Sequence, residues 1–342
     1  MKAALKPRID RENRTLLADV LPLETPFILN VDPASACNFK CAFCPTGHRD
    51  LIKSTNRFQG ILDFSVYEKV IADLEEFDEP LKVLRLYKDG EPFLNKNFAE
   101  MVRLGKNSRK VLSVDTTTNA SLFSFERVKP VIDAGIDRIN ISIDGMSDTE
   151  YFENVGCRVS FDKIVRDVER AYEYASNTEI QIKTIREIIY PENIDRFYEI
   201  FGNICDRIFI ENLAPCWPDF EVGEIMGVAF KEGIYGQPIE PVNTCPYLFY
   251  SMSINSDGTV STCFLDWSRD LLIGDVRQNK VRDIWHGQKM NYFRQMHLNG
   301  QRSEHKLCGS CGQLSHCWPD NIDNDRTAIQ SRFQHRYSLA AE

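Results

Sequence analysis

Apolar and polar positions along the chain predict short buried strands separated by amphipathic helices. Apolar runs of four to seven residues alternate with longer stretches that carry an apolar residue at every third or fourth position. The alternation favours parallel strands joined by right-handed crossovers. Six such units are too few to close an eight-stranded barrel, so the pattern predicts an α/β fold with a partial (β/α)6 TIM-like barrel. The strands are predicted at 27–31, 82–87, 111–117, 138–143, 179–185 and 207–210, and the helices at 64–74, 97–106, 123–133, 161–174 and 191–202.

A different pattern follows the sixth strand. Runs at 250–255 and 259–263 favour strands, and Asp257-Gly258 between them favours a tight turn, so we expect a β-hairpin. A helix is predicted over 281–297, and a cysteine-rich loop follows it. The expected parts are an N-terminal extension (1–26), the barrel (27–215), a linker rich in proline and glycine (216–243), a small α+β domain that contains the cysteine-rich loop (244–321) and a polar C-terminal tail (322–342).

Composition and charge disfavour several classes of protein. Apolar residues make up 43% of the chain and charged residues 27%, which is typical of globular proteins. The formal net charge of −9 disfavours a nucleic-acid partner, because such proteins present a basic surface. No apolar run is long enough to span a membrane, and the charged N-terminus lacks the apolar core of a signal peptide. We therefore expect a cytoplasmic protein without a membrane partner.

The chain has 11 cysteines, and their arrangement suggests metal binding. An odd count without an export signal argues against a disulfide framework, and spaced cysteines in a reducing compartment favour metal ligands. Eight of them form two spaced groups. The isolated Cys157, Cys205 and Cys216 are expected to behave as small buried hydrophobes, although Cys216 follows the sixth strand and could face the ligand site.

The first group consists of Cys37, Cys41 and Cys44, directly after the first strand. Three thiolates can hold three irons of a [4Fe–4S] cluster and leave the fourth iron open. A zinc knuckle or three unrelated core cysteines are the alternatives. With Phe43 in the aromatic position, the stretch resembles the C-x3-C-x-aromatic-C signature of the radical S-adenosylmethionine (radical SAM) enzymes. The resemblance implies a cluster whose open iron binds SAM, with Phe43 beside the cofactor.

The turn after the second strand, Asp89-Gly90-Glu91-Pro92, carries a further resemblance. By itself Gly-Glu-Pro is an ordinary turn. In this chain it resembles the Gly-Gly-Glu-Pro motif of the same family, with Asp89 in place of the first glycine. The resemblance implies that Gly90, Glu91 and Pro92 contact SAM and that Glu91 holds its amino group.

Polar residues lie near the C-terminal ends of the third, fourth and fifth strands, which should share one edge of the barrel. Helix capping or turn formation is the ordinary interpretation of those near the third and fourth strands. The resemblance implies instead that Asn119, Ser142 and Asp144 lie near the ribose and the carboxylate of SAM. Lys183 borders the fifth strand and could pair with the SAM carboxylate, with a solvated surface charge as the alternative.

The second cysteine group resembles the SPASM region of radical SAM enzymes, which carries auxiliary clusters. Two later cysteines of the full pattern are absent, which fits the shortened form called a twitch domain, with one auxiliary [4Fe–4S] cluster. A four-cysteine zinc site is the alternative. Cys317 is left over and could be an alternative ligand, a buried thiol or, like Cys216, a hydrogen donor. The implied ligands are Cys245, Cys263, Cys308 and Cys311.

The resemblance implies an enzyme that cleaves SAM to a 5′-deoxyadenosyl radical and abstracts hydrogen from a small polar substrate, such as a sugar or an aminocyclitol. A fully ligated auxiliary cluster suits electron acceptance, so oxidation of a secondary alcohol to a ketone is expected, with a flavodoxin- or ferredoxin-like electron donor. The alternatives are a redox-neutral epimerase with a cysteine hydrogen donor, an enzyme that modifies a ribosomal peptide, and a non-catalytic iron–sulfur electron carrier or redox sensor.

Overall fold

A single ten-stranded sheet organises the protein, for which a computed structural model describes residues 1–9 and 14–339. The order across the sheet is β1-β7-β6-β5-β4-β3-β2-β8-β9-β10. The strands are β1 Ala4–Leu5, β2 Ile28–Val31, β3 Val83–Arg85, β4 Val114–Thr118, β5 Arg138–Ser142, β6 Glu179–Ile185, β7 Arg207–Glu211, β8 Ser251–Ile254, β9 Thr259–Ser261 and β10 Leu272–Asp275.

Strands β2 to β7 form the predicted partial barrel. Each pairs in parallel with the next in sequence, for example with Ile28 opposite Val83 and Arg138 opposite Glu179. The α/β class and the partial barrel are therefore confirmed. The helices cover Leu17–Val20, Arg49–Lys53, Phe64–Asp73, Phe98–Asn107, Phe125–Asp133, Asp148–Val155, Phe161–Tyr174, Ile194–Phe201, Val222–Met226, Tyr247–Tyr250, Val281–Trp285, Gln288–Leu298, Lys306–Ser310, Gln313–His316 and Arg326–Leu339.

The crossover helices pack one apolar face on the sheet, as helix Phe161–Tyr174 illustrates. The hydroxyl of Ser160 accepts a hydrogen bond from the Lys163 N–H and caps the first turn. Three buried apolar residues, Ile164, Val168 and Ala171, recur at helical spacing along its inner face. Burial of this face against the sheet, rather than local helix propensity, supplies most of the helix stability.

The predicted hairpin is present, and it continues the barrel sheet. Strands β8 and β9 are antiparallel, and Gly258 in the turn between them has a φ of 87°. Strand β8 also pairs in parallel with β2, so Ile28 lies between Val83 and Ser251. The C-terminal cysteine region is therefore attached to the strand that precedes Cys37.

The two ends of the chain contain structure that the pattern did not predict. The short strand β1 extends the opposite edge of the sheet by pairing with β7. Beyond Asn321, the expected polar tail contains helix Arg326–Leu339. Ile329 and Phe333 are four residues apart, so they share a helix face, and they pack with Leu21 and Phe249.

The segment 216–243 is ordered against both parts of the molecule. It contains the short helix Val222–Met226, and Phe220 and Val222 are buried. The Trp267 indole donates a hydrogen bond of 2.8 Å to the Pro218 carbonyl. Among the described residues, no helix has both the length and the apolar character needed to cross a bilayer.

Candidate active site at the mouth of the barrel

The mouth of the barrel is the edge at which strands β2 to β7 end, and the first cysteine group lies there. The pKa of Cys37 is raised to about 12, mainly by burial and in part by a neighbouring Cys44 thiolate. Burial also raises the pKa of Cys41, with added contributions from Cys44 and Cys37. The three thiols are therefore close enough to interact electrostatically, and they would need a positive partner such as iron to ionise at neutral pH.

Glycines allow the loops at the mouth to approach closely. A Cβ atom on Gly90 would lie 2.0 Å from the Ala36 carbonyl oxygen, and one on Gly47 would lie 2.2 Å from the Cys41 carbonyl oxygen. The Glu91 N–H donates to the same Ala36 carbonyl at 3.1 Å. The turn after β3 is thus fixed directly against the cysteine loop, and Gly90 is needed for this contact.

Glu91 connects the loops that follow β3 and β4. Its side chain is buried, with 2% of the residue exposed. Oε1 accepts hydrogen bonds from the Phe93 N–H at 3.0 Å and the Thr118 hydroxyl at 2.8 Å, and Oε2 accepts one from the Asn119 N–H at 2.9 Å. A carboxylate offers about four acceptor positions, so Oε2 retains one for a ligand. Asn119 Nδ2 lies 3.9 Å from Cys37 Sγ, which brings Glu91 near the thiols.

Replacing Glu91 by glutamine tests its predicted contact with the SAM amino group. Loss of a charge-assisted hydrogen bond should lower SAM affinity about ten- to hundredfold while the iron content stays unchanged. Calorimetric titration of the anaerobic holoenzyme with SAM measures the effect. Thr118→Val is the matched control, because it removes one hydrogen bond to Glu91 without changing its charge. Equal SAM affinity in wild type and E91Q would contradict the assignment.

The other residues predicted to contact SAM reach the same end of the barrel. Pro92 is buried and begins a single 3-10 turn, and Ser142 at the end of β5 faces the cavity described below. Burial raises the pKa of Asp144 to about 6, and nearby Lys183 partly opposes this shift. Lys183 Nζ is 2.7 Å from Glu211 Oε2, so this lysine already has a carboxylate partner. Their roles toward SAM stay predictions.

A cavity of about 300 Å³ opens at the mouth of the barrel, and we call it the central cavity. Phe43 and Cys44 line one part of it, and both candidate hydrogen donors, Cys216 and Cys317, line another. Burial raises the pKa of Cys216 to about 12 and that of Cys317 further, so both are neutral thiols at physiological pH. A neutral S–H is the form that can give up a hydrogen atom.

The second cysteine group also comes together in space. Burial raises the pKa of Cys245, and thiolates at Cys311 and Cys308 raise it further. Burial also raises the pKa of Cys263, and thiolates at Cys245 and Cys311 add to the increase. Cys317 lies close enough to Cys311 to feel its charge, so it is adjacent to the predicted ligand set. The fold therefore gathers four thiols, with a fifth beside them.

Both cysteine groups have the donor chemistry of iron–sulfur ligands. All 11 cysteines are free thiols. A cation accompanies each group, because Arg57 favours the thiolate of Cys44 and Arg302 that of Cys311. Among the residues described, no three or more His, Cys, Asp or Glu side chains are arranged to hold one metal ion. Thiols that bind a four-iron cluster each bind a different iron and need not converge on one point.

Asp89 is the centre of a buried ionic network that the sequence did not reveal. Its carboxylate Oδ2 lies 2.5 Å from Arg269 Nη2, 3.0 Å from Lys88 Nζ and 3.9 Å from Arg57 Nε. Burial opposes ionisation of Asp89, but the three cations outweigh it and hold its pKa well below the usual range. The replacement of a glycine by Asp89 in the family motif was the one signal that pointed to this position.

The Asp89 network ties the two cysteine regions to each other. Arg57 donates to the Thr46 hydroxyl at 3.0 Å, two residues after Cys44, and Thr46 donates to the Asp89 carbonyl at 2.8 Å. On the other side, Lys88 donates to the carbonyl of Asp266, three residues after Cys263, at 3.0 Å. The loop after Cys263 is thereby fixed to the mouth of the barrel.

Most of the chain matches two known protein families. Residues 31–203 match the radical SAM superfamily, and residues 245–312 match an iron–sulfur cluster-binding domain. The first match contains Cys37, Cys41 and Cys44, and the second contains all four predicted auxiliary ligands, from Cys245 to Cys311.

Similar proteins share this organisation at low identity. A tungsten-containing aldehyde ferredoxin oxidoreductase cofactor-modifying protein of Pyrococcus furiosus is 23% identical, over 78% of this chain and 82% of that protein. An S-adenosyl-L-methionine-dependent 2-deoxy-scyllo-inosamine dehydrogenase of Niallia circulans is 19% identical, over 84% of this chain and 93% of that protein. The crystal structure of BtrN in complex with AdoMet and 2-DOIA superposes with a TM-score of 0.55 at 18% identity, covering 84% and 94% of the two chains.

Proposed function

This chain belongs to the radical SAM superfamily, and we propose that it oxidises a secondary alcohol of a sugar or aminocyclitol-like substrate to a ketone. The observation that carries the proposal is the position of the central cavity. Cys44 of the first group lines it, and so does Cys317, which is adjacent to Cys311 of the second group. A substrate in this cavity would lie between the two sites. The similarity to the Niallia circulans dehydrogenase, which extends over most of both chains, supports the same reaction.

The family implies SAM, a SAM-binding [4Fe–4S] cluster and auxiliary iron–sulfur chemistry. In this chain we assign Cys37, Cys41 and Cys44 to the first cluster and the second cysteine group to one auxiliary cluster. When bound, these groups supply a 5′-deoxyadenosyl radical that takes a hydrogen atom from carbon, and an acceptor for one electron. We further propose a flavodoxin- or ferredoxin-like protein as the reductant.

Oxidation of an alcohol to a ketone also requires that the hydroxyl oxygen lose a proton, and Glu211 is suited to accept it. Among the described residues that line the central cavity, Glu211 carries the only carboxylate. Its Oε2 is paired with Lys183 at 2.7 Å, whereas its buried Oε1 has no hydrogen-bond partner. Lys183 therefore fixes the carboxylate, and Oε1 is available to a substrate hydroxyl.

The remaining walls of the cavity would position the substrate and exclude water. Ser142 offers a hydroxyl, and the hydroxyl of Thr117 is buried without a hydrogen-bond partner. Phe43, Trp217 and Phe264 supply apolar surface. Exclusion of water protects a reactive substrate from side reactions, and unpartnered polar groups orient a hydroxylated ligand.

Reaction in deuterium oxide tests the dehydrogenase proposal. We expect a ketone product, in which the reacting carbon has lost its hydrogen, and consumption of one SAM for each product. Replacing Cys245, Cys263, Cys308 and Cys311 by alanine should leave 5′-deoxyadenosine formation but prevent ketone formation, because no acceptor for the electron remains. Mass spectrometry of product and 5′-deoxyadenosine measures both outcomes. A product isomeric with its substrate and carrying solvent deuterium would refute the proposal.

The second candidate is a redox-neutral epimerase, which one observation favours. Both Cys216 and Cys317 line the central cavity as neutral thiols, so either could return a hydrogen atom to a substrate carbon. An epimerase would incorporate solvent deuterium through the exchangeable S–H. In that case, alanine at the donor cysteine would stop product formation while the auxiliary iron content stayed unchanged.

A further inference from the structure

The described residues that line the central cavity carry more positive than negative charge. Four cations line it, and three of them have a carboxylate within 4 Å. Arg8 is the fourth, and no carboxylate of the described residues lies within that distance of its guanidinium. The three pairs are Lys88 with Asp89 at 3.0 Å, Lys183 with Glu211 at 2.7 Å, and Arg85 with Asp115 at 3.4 Å.

The N-terminal segment brings Arg8 into the cavity. Strand β1 pairs with β7, and Arg8 follows its last residue by three positions. Two barrel side chains hold the backbone that joins β1 to Arg8. Arg207 Nη2 donates to the Pro7 carbonyl at 2.5 Å, and Gln181 Nε2 donates to the Lys6 carbonyl at 3.3 Å. Arg8 therefore occupies a fixed position at the mouth of the barrel.

The immediate partners of Arg8 are tyrosines. Nη1 donates to the Tyr87 hydroxyl at 3.3 Å, whereas the buried Nε has no hydrogen-bond partner. The hydroxyl of Tyr235, which lines the same cavity, is also buried without a hydrogen-bond partner. Glu211 and Asp115 are near enough to favour the charged form of Arg8, but each is already paired with another cation.

We propose that Arg8, together with the hydroxyls of Tyr87 and Tyr235, binds an oxyanion of the substrate, either a carboxylate or a phosphate. A guanidinium with open donors in a desolvated site is costly unless an anion binds it, and its planar fork matches both groups. The inference rests on the proposed function and narrows the sugar or aminocyclitol-like class to its acidic members. The anion would lie beside the Glu211 carboxylate, so the alcohol to be oxidised and the acidic group would belong to one small molecule.

Equilibrium dialysis with labelled sugars tests the proposal without turnover. The anaerobic holoenzyme with SAM, but without reductant, is dialysed against D-glucuronate, D-glucose 6-phosphate and neutral D-glucose. We expect at least one of the two acids to bind more tightly than glucose, and the acid that does so identifies carboxylate or phosphate as the bound group. R8Q should weaken binding of that acid about ten- to hundredfold and leave glucose binding unchanged.

Four further measurements separate substrate binding from other roles of Arg8. Arg8→Lys should recover part of the affinity because it keeps the charge, whereas K2Q, an exposed change in the same segment, should have no effect. Y235F should weaken acid binding without removing any charge. SAM affinity should be the same in R8Q and wild type.

Each contrary result overturns the inference. Binding of both acids no tighter than that of glucose, or equal acid binding in R8Q and wild type, would remove the proposed site. A parallel loss of SAM affinity in R8Q would assign Arg8 to the SAM carboxylate instead. Because no turnover occurs, these outcomes are independent of the deuterium experiment, which tests the reaction itself.

Discussion

Triple replacement of Cys37, Cys41 and Cys44 by alanine is expected to abolish SAM cleavage and to leave about half of the iron. The wild-type chain should contain about eight irons after anaerobic reconstitution, as two clusters of four. The triple variant loses the open iron to which SAM would bind, so 5′-deoxyadenosine should fall below detection. Iron analysis and chromatography of the reaction with dithionite measure the two quantities.

Two comparisons make this result specific. C205A is the matched control, because Cys205 is a buried thiol within the barrel that donates only to the Phe201 carbonyl, at 3.1 Å. It should keep the full iron content and SAM cleavage. Zinc in the second cysteine group, or about four irons in the wild-type chain, would contradict the assignment of two four-iron clusters.

Replacement of Asp89 by asparagine should lower the free energy of unfolding by about 3–5 kcal/mol. The asparagine keeps the shape of the side chain but removes the charge that Arg269, Lys88 and Arg57 share. Nearby Asp32 is close enough to the same three cations to feel their charge, but it would be a single carboxylate facing all three. Three buried cations would then have too little compensating charge.

Urea denaturation of the protein under anaerobic conditions, followed by circular dichroism, measures the loss. D133N is the matched control, since Asp133 and Lys129 form an exposed pair at 2.6 Å, with both side chains more than 40% exposed. An exposed pair contributes about 0–1 kcal/mol. If D89N and D133N unfold at the same urea concentration as wild type, the Asp89 network does not contribute to stability.

The network also bears on how the two cysteine regions work together. Arg269 reaches Asp89 across 180 positions of sequence, and both residues are almost fully buried. The loop after Cys263 therefore contacts the turn that contains Gly90 and Glu91. The departure of Asp89 from the family motif is thus compensated by residues of the C-terminal region, which explains how a charged residue is accommodated there.

Local sequence patterns were sufficient to predict the barrel and to identify the two cysteine groups. The period of apolar residues identified six strands and five helices close to their observed bounds, because each element must bury one face against the same core. Helix Asp148–Val155 was missed, since its apolar positions are few, and it depends on the cap from Ser147 and the left-handed Gly156. Helix Arg326–Leu339 was not predicted, because Ile329 and Phe333 pack on residues distant in sequence such as Leu21 and Phe249.

By itself, the sequence determined what depends on spacing along the chain. Cys37, Cys41 and Cys44 lie on one loop whatever surrounds them, and Gly90, Glu91 and Pro92 lie together in one turn. Only the tertiary structure decided which charges are balanced. Within the described part of the chain, Arg8 has no carboxylate within 4 Å, and Asp89 lies beside Arg57 and Arg269, which come from distant segments. No local pattern encodes contacts between residues so far apart in sequence. The electrostatic character of the central cavity is for this reason a property of the folded chain.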